Sequence, residues 1–152
     1  MNVSSNAMTA IKKFSLAAFS LLMVLFSASD ADAQCRTFTK KRCLPQLEDY
    51  VQNDNYNTAV LIPGDEAELE LTFFGDRAYR LLVRGHPVLG DLTFQVLDSR
   101  GNGIYDSTDK ETNHFDFRVA NTQQMTVRVQ VPTSDAVIEH EGCVSIMVGS
   151  KG

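Results

Sequence analysis

The sequence predicts an all-β fold: an antiparallel, jelly-roll-like β-sandwich of about seven or eight strands, with a short N-terminal helix. Two observations carry this. Six segments between Leu69 and Val148 alternate apolar with polar residues, a period of two that puts one set of side chains on each face of a strand. Between and beside them stand PGDE, FGDR, GHPVLGD, SRGNG, ANTQQ and VPTSD, clusters of the residues that turn a chain. Alternation, rather than continuous apolar runs, implies antiparallel sheets with one wet face each. Two such sheets hide their apolar faces against each other; a closed barrel is the alternative.

Taken in order, residues 1–33 read as a secretory signal peptide. Lys12 and Lys13 precede the apolar run Phe14 to Ser27, and Ala31 and Ala33 in ASDADA form an A-x-A site that places cleavage after Ala33. Fourteen apolar residues fall short of the roughly 20 that span a bilayer, so no stable membrane span is expected after cleavage. Met8 is an alternative start, and Gln34 before Cys35 argues against a lipoprotein. Residues 34–57 form a cysteine-containing arm. Within it Pro45 stands at a plausible first helical position and Leu44, Leu47 and Val51 recur at helical spacing, predicting a helix from Pro45 to about Gln52. NDNYN, Asn53 to Asn57, ends it.

Residues 58–152 form the sandwich. Leu69, Leu71 and Phe73 alternate with Glu68, Glu70 and Thr72. Tyr79, Leu81 and Val83 stand against Arg80, Leu82 and Arg84, and Leu92, Phe94 and Val96 against Thr93, Gln95 and Leu97. Phe115, Phe117 and Val119 oppose His114, Asp116 and Arg118. Met125, Val127, Val129 and Val131 oppose Thr126, Arg128 and Gln130, and Val144, Ile146 and Val148 oppose Ser145 and Met147. Thr58 to Ile62 and Gly103 to Tyr105 are shorter candidates.

The net charge is −5, and the signal segment's two lysines and two aspartates cancel, so the mature domain keeps it. An acidic exported domain is a poor partner for nucleic acid or anionic lipid. Arg36, Lys40, Lys41 and Arg42 are the local exception: a solvated terminus, or a docking surface for an anionic polymer. Cys35, Cys43 and Cys143 give one disulfide and one spare thiol in an oxidising compartment. Three pairings are possible and spacing does not choose among them. The local Cys35–Cys43 pair is preferred, although a closure to Cys143 would restrict the unfolded chain more, by about 1 to 2 kcal/mol.

VLDSRGNGIYDSTD holds the residues from which a calcium cage would be built: Asp98, Asn102, Asp106 and Asp109. Aligned as an EF-hand from Asp98, position three is Arg100, position twelve is the short Asp109, and the flanks alternate as strands, not helices. A hairpin accounts for more: Gly101, Asn102 and Gly103 supply positive φ, and Val96 and Ile104 pair across the turn. His86, His114 and His140 share no ligand spacing, and EHEGC, Glu139 to Cys143, is simpler as a loop than as a metal or redox site. No nucleophile lies in a recognised catalytic context, and outward Glu68 and Glu70 serve solubility. No catalytic residue, metal or cofactor is expected. Tyr56, Phe74 and Tyr105 are candidate exposed aromatics, with capping of a sheet edge as the plainer role.

DRAYRLLVRG with Tyr79 entering the core, DLTFQVLDSRGN, HFDFRV and EGCVSIMVG together resemble the compact bacterial sandwiches of the pre-peptidase C-terminal (PPC) and GOLD type, over about Glu66 to Lys151. With CRTFTKKRC, Cys35 to Cys43, the chain looks most like short, free-standing exported bacterial proteins carrying an N-terminal CxxFxKxxC segment. The resemblance implies a sandwich and transfers no catalytic residue. The expectation is an exported, non-enzymatic binding or structural module in the periplasm or at the cell surface, contacting an envelope protein or polysaccharide. The alternatives are a carbohydrate-binding or calcium-stabilised module, or a small hydrolase or redox protein.

Overall fold

A computed structural model describes residues 30–52, 56–138 and 140–152. Most of the expected signal peptide, part of NDNYN and Glu139 lie outside the described residues. Residues Gln34–Gly152 form one compact unit. Helix α1 (Asp30–Phe38) continues as a π-helical turn (Thr39–Cys43) and a 3₁₀ turn (Leu44–Leu47). Then come β1 (Val51–Gln52), β2 (Asn57–Leu61), β3 (Glu66–Phe73), β4 (Arg77–Gly85), β5 (Thr93–Asp98), β6 (Gly103–Asp106), β7 (His114–Val119), β8 (Gln123–Gln130) and β9 (Gly142–Lys151).

The alternating segments build the antiparallel two-sheet sandwich. In one sheet β9 is flanked by β4, then β7; its other edge is covered by β1 at one end and β2 at the other. The second sheet runs β3-β8-β5-β6. SRGNG joins β5 to β6 as a hairpin within one sheet, whereas the other five turn clusters carry the chain from one sheet to the other. The core is what alternation sends inward: Phe73, Leu81, Val83, Phe94, Val96, Val127, Val129, Val144 and Val148 are all buried. Each such side chain contributes on the order of 1.5–3 kcal/mol relative to exposure. Tyr79 enters the core too, and its hydroxyl accepts from the Phe74 N–H (2.9 Å) and donates to the Phe74 carbonyl (3.1 Å).

A second cluster lies on the outer face of the five-stranded sheet. Leu82 and Met147, which point away from the first core, are fully buried with Cys43 and Leu47, beside Phe38 and Tyr50. The N-terminal segment is the cover. Arg80, also outward, fastens it: its guanidinium donates from Nε and Nη2 to the two Asp116 oxygens (both 2.8 Å), from Nη1 to the Gln46 carbonyl (3.1 Å), and pairs with Glu48 at 3.0 Å. Tyr50 comes down over Gly149, where a Cβ would stand 2.6 Å from the Tyr50 Cβ.

Two expectations are corrected here. The helix placed at Pro45 to Gln52 is only the short turn Leu44–Leu47, ended at Glu48 with φ 51°, after which Val51 and Gln52 join β9. The α-helix lies upstream, where the stripe Cys35, Thr39, Cys43 is buried at a spacing of four. The Cys35–Cys43 disulfide is also replaced: Cys35 bonds Cys143, with Cα atoms 5.3 Å apart. Eight residues along a helix separate two Cα atoms by about 12 Å, beyond disulfide reach, so helix formation forbids the local pair.

The Cys35–Cys143 bridge closes a loop with a sequence separation of 108. Replacing both cysteines with serine is expected to lower stability by about 2–4 kcal/mol, read from urea unfolding.

Candidate functional site

In the 98–109 stretch the carboxylates are occupied in closing turns. Asp98 Oδ1 accepts from the N–H groups of Arg100 (2.8 Å) and Asn102 (2.9 Å), and Oδ2 from Asn102 Nδ2 (2.9 Å). The Asn102 side chain, more than Arg100 at 3.9 Å, holds the Asp98 carboxyl below its usual range. Asp106 Oδ1 accepts from the Thr108 hydroxyl (2.6 Å) and N–H (2.8 Å), and Oδ2 from Gln95 Nε2 (2.7 Å). These bonds, the Thr108 hydroxyl first, pull its pKa down to about 2. Asp109 is exposed. Among the described residues no three His, Cys, Asp or Glu side chains gather as a metal would need.

The hairpin differs in detail from its expectation. Val96 faces Tyr105 and Leu97 faces Gly103, so Ile104 is the extra residue of a bulge and does not pair with Val96. Only Gly101 of the three turn residues takes positive φ, 83°.

Cys143 is consumed by the disulfide, which leaves no free thiol beside His140 and Glu141. The free thiol is Cys43, with no exposed surface. Burial raises its pKa against the opposing effects of a Ser145 hydrogen bond and Arg84, so it is neither nucleophilic nor reachable. His86 is exposed and its Nδ1 accepts from the Val88 N–H (3.3 Å). An open cleft of about 620 Å³ lies between the turns after β3 and β7, walled by Phe74, Asp76, Arg77 and Asn121. That wall pairs no nucleophile with a base.

Of the candidate aromatics, Tyr105 belongs to a ladder of rings between the sheets. It stacks on Phe115 at 4.2 Å and is covered by the Lys110 ammonium at 3.9 Å, so it caps a sheet edge. Tyr56 lies about 6 Å from Arg36 and Lys40. Phe74 points outward as alternation requires, 61% exposed.

Among the described residues, a further set of exposed aliphatic side chains lies elsewhere. Strand registers bring the β2–β3, β4–β5 and β8–β9 connections to one end of the sandwich: Leu61 faces Gly142, Glu66 and Thr93 both face Gln130, and Gly85 faces Val144. The Gly64 N–H donates to the Pro132 carbonyl (3.2 Å) and the His86 N–H to the Cys143 carbonyl (2.7 Å), tying the loops together. Exposed here are Ile62, Val88, Val137 (103%) and Ile138 (69%). The same loops carry Asp65, Asp91, Asp135 and Glu141 and contain no Lys or Arg. Of these apolar residues, the sequence places Ile62 at the end of a candidate strand and Val88 inside GHPVLGD, while Val137 and Ile138 fall between VPTSD and EHEGC in no assigned element; the signal was aliphatic side chains in segments that needed none.

Comparison with solved structures finds similarity to the Aeromonas hydrophila protein PliG, a periplasmic lysozyme inhibitor of g-type lysozyme. Identity is 9% and the TM-score 0.49, covering 68% of this chain and 90% of that one. No protein-family model and no curated protein matches the chain.

Two outcomes are expected. The Cys43 thiol stays unreactive to a disulfide-exchange reagent in native protein and reacts stoichiometrically on denaturation. Asp106, followed by NMR, titrates near 2, so its contribution to stability is complete above the unfolded carboxylate value of about 3.9 and is lost as pH falls through its folded value. Thr108→Ala raises that midpoint.

Proposed function

We propose that this chain is an exported β-sandwich binding module, acting in the periplasm or at the cell surface without catalysis, and that its partner is a cationic protein held at the apolar end. The carrying observation is that the loops gathered at this end expose Ile62, Val88, Val137 and Ile138 and carry Asp65, Asp91, Asp135 and Glu141. Exposed aliphatic groups gathered on one surface of a small domain mark an interaction site. A rim of one charge sign favours a partner of the other and speeds encounter. Export is supported by the A-x-A segment ending at Ala33 and by a disulfide, a bond that persists outside the reducing cytosol. Membership among PPC- and GOLD-type sandwiches, suggested by the strand motifs, is part of the same reading.

The test is a photo-crosslinking amino acid at Val137, with a control at Ile104, in cells expressing the full chain. Position 137 should yield an adduct with a protein of basic pI, and Ile104 should not. Asp135→Lys with Glu141→Lys should reduce the adduct at least tenfold. A homodimer adduct, an acidic partner, or no adduct at 137 overturns the proposal.

A further inference from the structure

The N-terminal cap carries a second surface of opposite character. Between Gln34 and Cys43 the chain has Arg36, Lys40, Lys41 and Arg42 and no carboxylate. All four basic residues are exposed, and among the described residues none of them forms a salt bridge. The backbone beneath them is fixed: Cys35 is bonded to β9, Thr39 is buried with its hydroxyl on the Cys35 carbonyl (2.9 Å) and the Ser145 hydroxyl (3.1 Å), and Cys43 is buried. Arg36 and Lys40, one helical turn apart, are braced against the same ring, 5.9 and 6.0 Å from the Tyr56 centroid. Cations held in place lose less freedom on binding. Glu66 and Glu68 pair with Arg128 on the outer side of the other sheet, and in the cover itself Glu48, which pairs with Arg80, and Asp49 follow only after the Leu44–Leu47 turn, so the net charge of −5 conceals a locally basic stretch.

We infer that this face binds an acidic polysaccharide. Lys40, Lys41 and Arg42 are consecutive on a π-helical turn and leave the axis in successively different directions, so they suit a run of anionic groups better than one small anion. A flexible chain bearing repeated carboxylate or sulfate groups meets them in succession, with the guanidinium groups suited to bidentate contact. A lipid surface fits less well. An interfacial helix presents an apolar face to the acyl boundary, whereas here the exposed positions are Gln34, Arg36, Thr37, Lys40, Lys41 and Arg42, and the apolar side, with Phe38 and Cys43, is turned onto the protein. This inference shares export with the proposed function and is independent of the apolar end.

The experiment measures retention of the full chain on immobilised alginate and dextran sulfate, with neutral dextran as control, and co-sedimentation with phosphatidylethanolamine/phosphatidylglycerol vesicles. Retention is expected on both acidic polymers at low salt, with none on neutral dextran, and is expected to be lost as salt shortens the screening length below about 10 Å. Arg36→Gln with Lys40→Gln, Lys41→Gln and Arg42→Gln should weaken it at least tenfold with the melting temperature and the Cys35–Cys143 bridge intact, and Lys41→Gln alone should weaken it measurably. Glu66→Gln with Glu68→Gln should not weaken it, and neither should Val137→Asp, which separates this outcome from the protein-binding proposal. No retention at low salt, equal retention of the quadruple variant, or binding to vesicles in preference to polymer overturns the inference.

Discussion

The constraint on which the structure depends is that β4 and β9 are buried on both faces. Arg80 through Val83 are buried without interruption, as are Val144 through Gly149. A sheet whose central strands are buried on both faces cannot leave one of them to water. Leu82 and Met147 alone would forfeit several kcal/mol if uncovered. The N-terminal segment is therefore a structural layer, and the fold is a two-sheet sandwich with a helical cover over half of one sheet. The polar contacts of the cover follow from that. Arg80 reaches out from a buried strand position, and two charge-assisted bonds to Asp116 with a third to a backbone carbonyl satisfy a guanidinium that would otherwise be costly to bury.

The same constraint decides the chemistry of the cysteines. Cys35 and Cys43 face the sheet together because they lie two helical turns apart on one stripe. Cys35 stands over the start of β9, where Cys143 meets it. Cys43 lies further along, over Ser145 and Met147, where it packs as a small apolar residue. One thiol becomes a bolt and the other part of a core, and the reactivity of the second is suppressed by the burial that makes it useful. A redox role would need the opposite environment, electropositive and open.

Much of this fold was legible in the sequence and some was not, for identifiable reasons. Period-two alternation located β3, β4, β5, β7, β8 and β9, because those strands each bury one face in the main core, while the short β6 was only a candidate beside the turn. The places where alternation fails, Leu82 opposite Leu81 and Met147 between Ile146 and Val148, were visible signs of a second apolar layer. Its cover was hidden because the buried stripe of the helix is Cys35, Thr39 and Cys43, residues that a hydropathy pattern does not count. The disulfide partner depended on that helix and so was missed with it. The bulge at Ile104 shifts a register by one residue, below what a turn motif specifies. For the candidate site, the acidic and aliphatic residues in and beside PGDE, GHPVLGD and VPTSD were readable individually, but the meeting of these connections at one end follows from strand order.

Strand order also explains where the two surfaces lie, the cover meeting the apolar end at the Cys35–Cys143 bond and the Phe38–His86 contact. Because almost every connection crosses between sheets, the loops are forced to the two ends of the sandwich, and the cover occupies a side. At the apolar end the β2–β3 and β4–β5 connections are tied to the start and end of the β8–β9 connection by backbone bonds, so the exposed side chains between are not needed to close the core. Val137 and Ile138 bury little, and their removal from the protein would cost the fold almost nothing. Aliphatic side chains kept in such a position work against solubility, and a compensating gain has to come from outside the chain. The basic cover is in the converse situation: its buried stripe is fixed by folding, which leaves only its outward positions free to vary. Four of the six exposed there are cationic in a molecule whose net charge is negative, and folding alone gives no reason for that choice.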